Sequence, residues 1–171
     1  MKFMKRQHPR RRVQAGFSLI ELLIVVAIIG ILATVAVPRL LENIKLGRQT
    51  ATLNSLRTIH QNQAQYSAMR NRFASLKELN EAQLIDSNYA SGIAVSGYVY
   101  NSTEATADQY CVQATRQAPS TAYNDYNVIE DGTIRYVESK SPSPIPRGEG
   151  TPMSGGGNAG AGAGAAPAPK Q

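Results

Sequence analysis

The sequence predicts an α+β protein: a long N-terminal α-helix, its first half membrane-spanning and its second half amphipathic, packed on a small antiparallel sheet of three to four strands. Three observations predict it. Residues 17–37, FSLIELLIVVAIIGILATVAV, are apolar except for Ser18, Glu21 and Thr34. Residues 39–70 hold no proline and only Gly47 as a weak helix former. Beyond residue 90, short runs rich in Ile, Val and Tyr are separated by turn residues.

The 171 residues carry a net charge of +6, and that charge is local. Lys2, Lys5, Arg6, Arg10, Arg11 and Arg12 lie in residues 1–16 with no acid beside them, and the rest of the chain is balanced. A basic folded surface is therefore not expected, which argues against a nucleic-acid partner. The single cysteine, Cys111, excludes an intrachain disulfide and a Cys-cluster zinc site. With only His8 and His60, a histidine metal centre has too few ligands. There is no phosphate loop and no Ser/His/Asp set, and Ser18 has no base to activate it. No enzyme and no cofactor are expected.

As a helix, the apolar run spans roughly 30 Å, about the hydrocarbon thickness of a bilayer. Its apolar residues surround the helix, as a membrane segment requires. The basic arm would stay cytoplasmic by the positive-inside rule, which places the bulk of the chain on the other side. A cleavable secretory signal has the same order of segments, but Thr34-Val35-Ala36 followed by Pro38 is a poor signal-peptidase site. An uncleaved signal anchor stays open, yet neither alternative explains Glu21. A carboxylate inside a membrane helix costs on the order of 2.5–3.5 kcal/mol, and such acids normally have a partner or a function.

The segment AGFSLIELLIVVAIIGILATVAVPRL, with Gly16, Phe17, Glu21 and Pro38 as its marked residues, resembles the N-terminus of the type IV pilin family, which includes the pseudopilins of type II secretion systems. The resemblance is specific over about residues 10–60 and general beyond. It implies a pilin-like fold and a bacterial inner-membrane precursor with a cytoplasmic N-terminus and an extracytoplasmic head. It also implies cleavage between Gly16 and Phe17 and N-methylation of Phe17 by a prepilin peptidase/methyltransferase. The other implied partners are further pilin subunits in a homo-oligomeric filament, a pilus or secretion assembly platform, and membrane lipid before assembly. It assigns Glu21 to the Phe17 amine of a neighbouring subunit. An intrachain contact from Glu21 to Phe17, or a helix-dipole interaction in the first turns, is the competing reading. Gly30 and Pro38 mark the weakest part of the helix, with a kink expected at Pro38: Gly30 is a poor helix former, and Pro38 cannot bond the Thr34 carbonyl. The competing reading is that Gly30 is a close-packing position and Pro38 marks where the helix leaves the bilayer.

The implied function is a subunit of a type IV pilus serving adhesion, motility or DNA uptake. The alternatives are a pseudopilin or an uncleaved membrane-anchored binding domain. Residues 1–16 read as a cleaved leader, 17–38 as the transmembrane and assembly helix, 39–140 as amphipathic helix plus head, and 141–171 as a disordered tail. That tail holds six Pro, eight Gly and six Ala, with almost nothing to bury.

Within the head, Leu53, Leu56, Ile59 and Tyr66 form an apolar stripe opposite Asn54, Arg57 and Gln61. His60 lies beside the stripe as a boundary side chain. Ser75 and Glu78 make a capping box for a short helix. Strands are expected at Ile93–Asn101, Tyr110–Arg116, Tyr126–Glu130 and Thr133–Glu138, with Asp131-Gly132 as a two-residue hairpin turn. Asp125, Glu130 and Asp131 could ligate calcium, but their spacing matches no calcium loop, and hairpin turn chemistry accounts for them better. Cys111 reads as a small buried side chain.

Overall fold

A computed structural model describes residues 17–153. The leader, including Gly16, and residues 154–171 lie outside the described residues. Helix α1 (Leu19–Arg70) includes Gly30 and Pro38. It contains the boundary between two compact units, residues up to Leu41 and residues from Glu42 onward. Helices α2 (Leu76–Glu81) and α3 (Ser87–Ala90) follow, then strands β1 (Tyr98–Ala105), β2 (Tyr110–Arg116), β3 (Asn124–Ile129), β4 (Ile134–Glu138) and β5 (Thr151–Pro152). The five strands form one antiparallel meander in chain order.

The head core lies between one face of the sheet and α1. Strand alternation places Tyr100, Ala114, Tyr126 and Tyr136 in one cross-strand row and Val112, Val128 and Ile134 in the next. The buried residues of α1, Gln49, Thr52, Leu56, Ile59, Gln63 and Tyr66, alternate by three and four. That spacing is the expected stripe, but half of it is polar. Gln63 shows how a buried amide is tolerated. Its Nε2 donates to the Ala74 carbonyl at 2.5 Å, and its Oε1 accepts from the Ala74 N–H at 2.9 Å. The side chain thus pairs the loop after α1 as a neighbouring strand would, and no polar group of that pair is stranded.

Helix α2 starts as expected. The Glu78 N–H donates to Ser75 Oγ, and the Ser75 N–H donates to Glu78 Oε2 at 2.8 Å. Arg72 donates to the other Glu78 oxygen at 2.5 Å. The Arg72 hydrogen bond, then those from Ser75, hold the Glu78 carboxyl down at about 2. Burial pushes the Tyr98 and Tyr110 hydroxyls far above their ordinary range, so both stay protonated. Tyr98 donates to the Asn124 carbonyl at 2.8 Å. Tyr110 shares a 2.5 Å hydrogen bond with His60 Nδ1, which makes His60 a boundary side chain with a definite partner.

Several expectations are corrected. Strand β1 begins at Tyr98, not Ile93, because Gly97 turns the chain with φ +83°. A Cβ there would stand 2.4 Å from the Thr121 methyl, so the turn requires glycine. The β3–β4 hairpin forms around Asp131-Gly132, but pairing closes at Val128–Ile134, which leaves a longer turn than two residues. In it the Thr133 N–H donates to Asp131 Oδ1 at 2.7 Å.

The largest correction concerns residues 141–153, expected to be part of a disordered tail. Residues 141–150 lie against the outer face of the sheet, and β5 pairs with the β4 edge. Ile145 is 3% exposed. Gln113 Nε2 donates to its carbonyl at 2.7 Å, and Asn127 Nδ2 donates to the Pro146 carbonyl at 2.8 Å. Proline removes the donors that a full strand needs, but carbonyl acceptors remain, and side-chain amides of the sheet use them.

Candidate functional site: the apolar N-terminal segment

Two features define the segment from Phe17 to Leu41. The first is exposure along its whole length: no residue of it is buried, and Leu19 and Ile31 are 81% and 70% exposed. A helix apolar on every side gains nothing by facing water, so lipid or neighbouring helices must cover it. The segment also hides its own polar atoms. Thr34 Oγ1 donates to the Ile31 carbonyl at 2.7 Å, as hydroxyls in apolar helices do.

The second feature is Glu21, in the first turn of α1, where the N–H groups of Glu21 and Leu22 both reach the Ser18 carbonyl. A carboxylate at a helix N-terminus faces the positive end of the dipole. Among the described residues Glu21 has no ion-pair partner. Phe17 lies just ahead of the helix and is 79% exposed. A Cβ at Gly30 would meet nothing within 4 Å, so the single chain does not itself require glycine there.

The head directs its acids elsewhere. Asp125 faces Arg116, Asp131 faces Arg135, and Glu130 faces Arg147. Each carboxylate weighed for calcium therefore has an arginine partner. No group of three or more His, Cys, Asp or Glu side chains gathers as a metal site among the described residues. The Arg116–Asp125 pair is the buried one, at 2% and 1% side-chain exposure. Arg116 donates to the carbonyls of Ala122, Tyr123 and Ser139, and Asp125 accepts the N–H groups of Arg116 and Ser143. Sequence reasoning missed this clasp, because the ion pair exists only in the β2–β3 register.

An apolar helix with no buried residue leading into an α+β head fits a membrane-anchored subunit that assembles through its N-terminal helix. The comparisons name the class more closely. Residues 11–37 match the family model described as the prokaryotic N-terminal methylation motif. The chain is similar to the type IV wide pilus major component PilA4 of Thermus thermophilus, 37% identical over 99 residues, covering 58% of this chain and 71% of that one. It is also similar to the type IV major pilin protein PilA of Myxococcus xanthus, 37% identical over 71 residues, covering 42% of this chain and 31% of that one. The chain belongs to the type IV pilin family.

Proposed function

We propose that the chain is a type IV prepilin, processed and assembled into a pilus filament as a structural subunit. The observation that carries this reading is the likeness to two major pilins in a chain whose residues 17–41 are uncovered and apolar. One relative is named as a type IV pilus major component and the other as a type IV major pilin, which favours a pilus over a type II secretion pseudopilus, and a structural role over an enzymatic one.

In this reading the leader orients the precursor, with residues 1–16 cytoplasmic and the head across the membrane. Hydrolysis of the Gly16–Phe17 amide by a prepilin peptidase yields a Gly16 carboxylate and a Phe17 ammonium. The Phe17 ammonium then loses one proton to solvent, and its nitrogen takes a methyl group from an electrophilic methyl donor bound by the methyltransferase. The donor–methyl bond breaks as the N–CH3 bond forms, and the methylated amine is again positively charged. Removing the arm also removes six cations that no filament interior could hold cheaply. The Phe17 ammonium of one subunit pairs with Glu21 of another, so that charge neutralisation sets the register between helices. Gly30 and Pro38 give the helix local freedom as it leaves lipid for the filament, and an assembly platform carries out that transfer.

The test is Glu21→Ala. Removing the acid makes the segment more apolar, so insertion and cleavage should proceed. Removing one partner of a buried pair costs about 3–5 kcal/mol, so assembly should fail. The variant should accumulate processed in the membrane and be missing from sheared filaments. Filaments at the normal level would overturn the intersubunit pair and favour an intrachain dipole role.

A further inference from the structure

Residues 141–150 close the outer face of β2 and β3, which is why these strands are buried almost without interruption. The hold is mostly polar. Gln113 and Asn127 grip carbonyls of this strap, and the Ser143 N–H reaches Asp125 Oδ2 at 3.1 Å. Arg147 pairs with Glu104 at 3.1 Å and with Glu130. Ile145 is the one buried apolar side chain among residues 141–153. The apolar cluster on the α1 side of the sheet contains no residue from this segment. Pro142, Pro144, Pro146 and Pro152 have no N–H to add to a ladder, and β5 is held to β4 by two register pairs.

Beneath the strap lies Cys111. An irregularity between Ser102 and Glu104 brings Glu104 opposite Cys111, which in turn pairs with Ile129. Cys111 thus stands in the row that Arg147 bridges from Glu104 toward Glu130. It is 0% exposed, and burial pushes its thiol pKa up.

We propose that residues 141–153 form a latch that opens as a separate unit, uncovering Cys111 and the outer face of β2 and β3 while the rest of the head stays folded. A segment with one apolar anchor, polar grips and partly exposed ion pairs opens at lower free energy than a strand with a packed core. Salt weakens its ionic grips, because they are partly in water. The uncovered face carries Cys111, Ile129, Gln113 and Asn127, so the latch sets when Cys111 becomes available to a thiol reagent.

The experiment follows thiol labelling of the full chain in detergent with an aromatic disulfide reagent, across a urea series. Cys111 is the sole cysteine, so the signal has one source. Below the unfolding midpoint the labelling rate should be nearly independent of urea and should rise with sodium chloride. It should also rise at least about tenfold in Arg147→Gln and Ile145→Ala, with the near-UV circular dichroism of the head retained. A rate that tracks global unfolding at every urea concentration, with the steep slope of the whole head, would overturn the latch. The wild-type urea series decides this alone should either variant fail to fold. It also does so independently of whether Gly16–Phe17 is cleaved.

Discussion

Replacing Asp125 by alanine should damage the head more than any other single surface-distant polar change, and the structure sets the size of the effect. The substitution leaves the Arg116 guanidinium, 2% exposed, without its counter-charge. It also removes the acceptors of the Arg116 N–H at 2.8 Å and the Ser143 N–H at 3.1 Å. Removing one member of a buried ion pair costs about 3–5 kcal/mol, a large share of the roughly 5–15 kcal/mol that holds a domain folded. At roughly 4 °C per kcal/mol for a domain of this size, Tm should fall by about 12–20 °C. The assay is thermal melting of the full chain in detergent, followed by near-UV circular dichroism, which reads the packed tyrosines and not the apolar helix. Asp125→Asn keeps an oxygen for the Arg116 N–H and should lose less. A double-mutant cycle with Arg116→Met should return a coupling energy of about 0.5–3 kcal/mol. A fall below about 4 °C for Asp125→Ala would refute the reasoning, since it would mean that the guanidinium finds water or another partner without cost.

Other outcomes follow from the same structure. Glu78 stabilises the fold through a depressed carboxyl, so its contribution is present above the unfolded value of 4.5 and is lost as pH falls toward about 2. The stability gap between wild type and Glu78→Gln should therefore be full at pH 6 and shrink progressively from about pH 4.5 downward in urea titrations. Truncation after Met153 should leave the head Tm unchanged, because the removed residues lack a core-forming pattern. Truncation after Lys140 should lower it by several degrees, because Ile145, β5 and the Arg147 ion pairs go with it.

What could be read in the sequence was what depends on near neighbours. The apolar run, the α1 spacing, the Ser75–Glu78 capping box and the alternation of Tyr110–Arg116 are written within a few residues of each other. The motif around Phe17 and Glu21 was legible for the same reason, while the family assignment rests on the likeness over 99 residues to the Thermus thermophilus wide pilus component. What was hidden depends on partners distant in sequence. Gln49, Thr52 and Gln63 look like solvent-facing residues until Ala74 or the sheet meets them. Arg116 and Asp125 become a pair only when β2 and β3 take their register. Residues 141–153 were missed because composition averages over a long tail. One isoleucine and the carbonyls of Ile145 and Pro146 suffice to dock a segment when amides wait on the sheet. The start of β1 was misplaced because Gly97, read as an interruption, is the turn that begins the strand.

If this chain becomes a pilus subunit, it does so by losing its leader at Gly16. The decisive measurement is the intact mass and N-terminal sequence of the protein recovered from filaments sheared off the cells that make it. The recovered chain should begin at N-methyl-Phe17 and run from there to the C-terminus. A chain that still begins at Met1, one that begins near Val37, or its absence from sheared filaments would contradict the proposed processing and assembly.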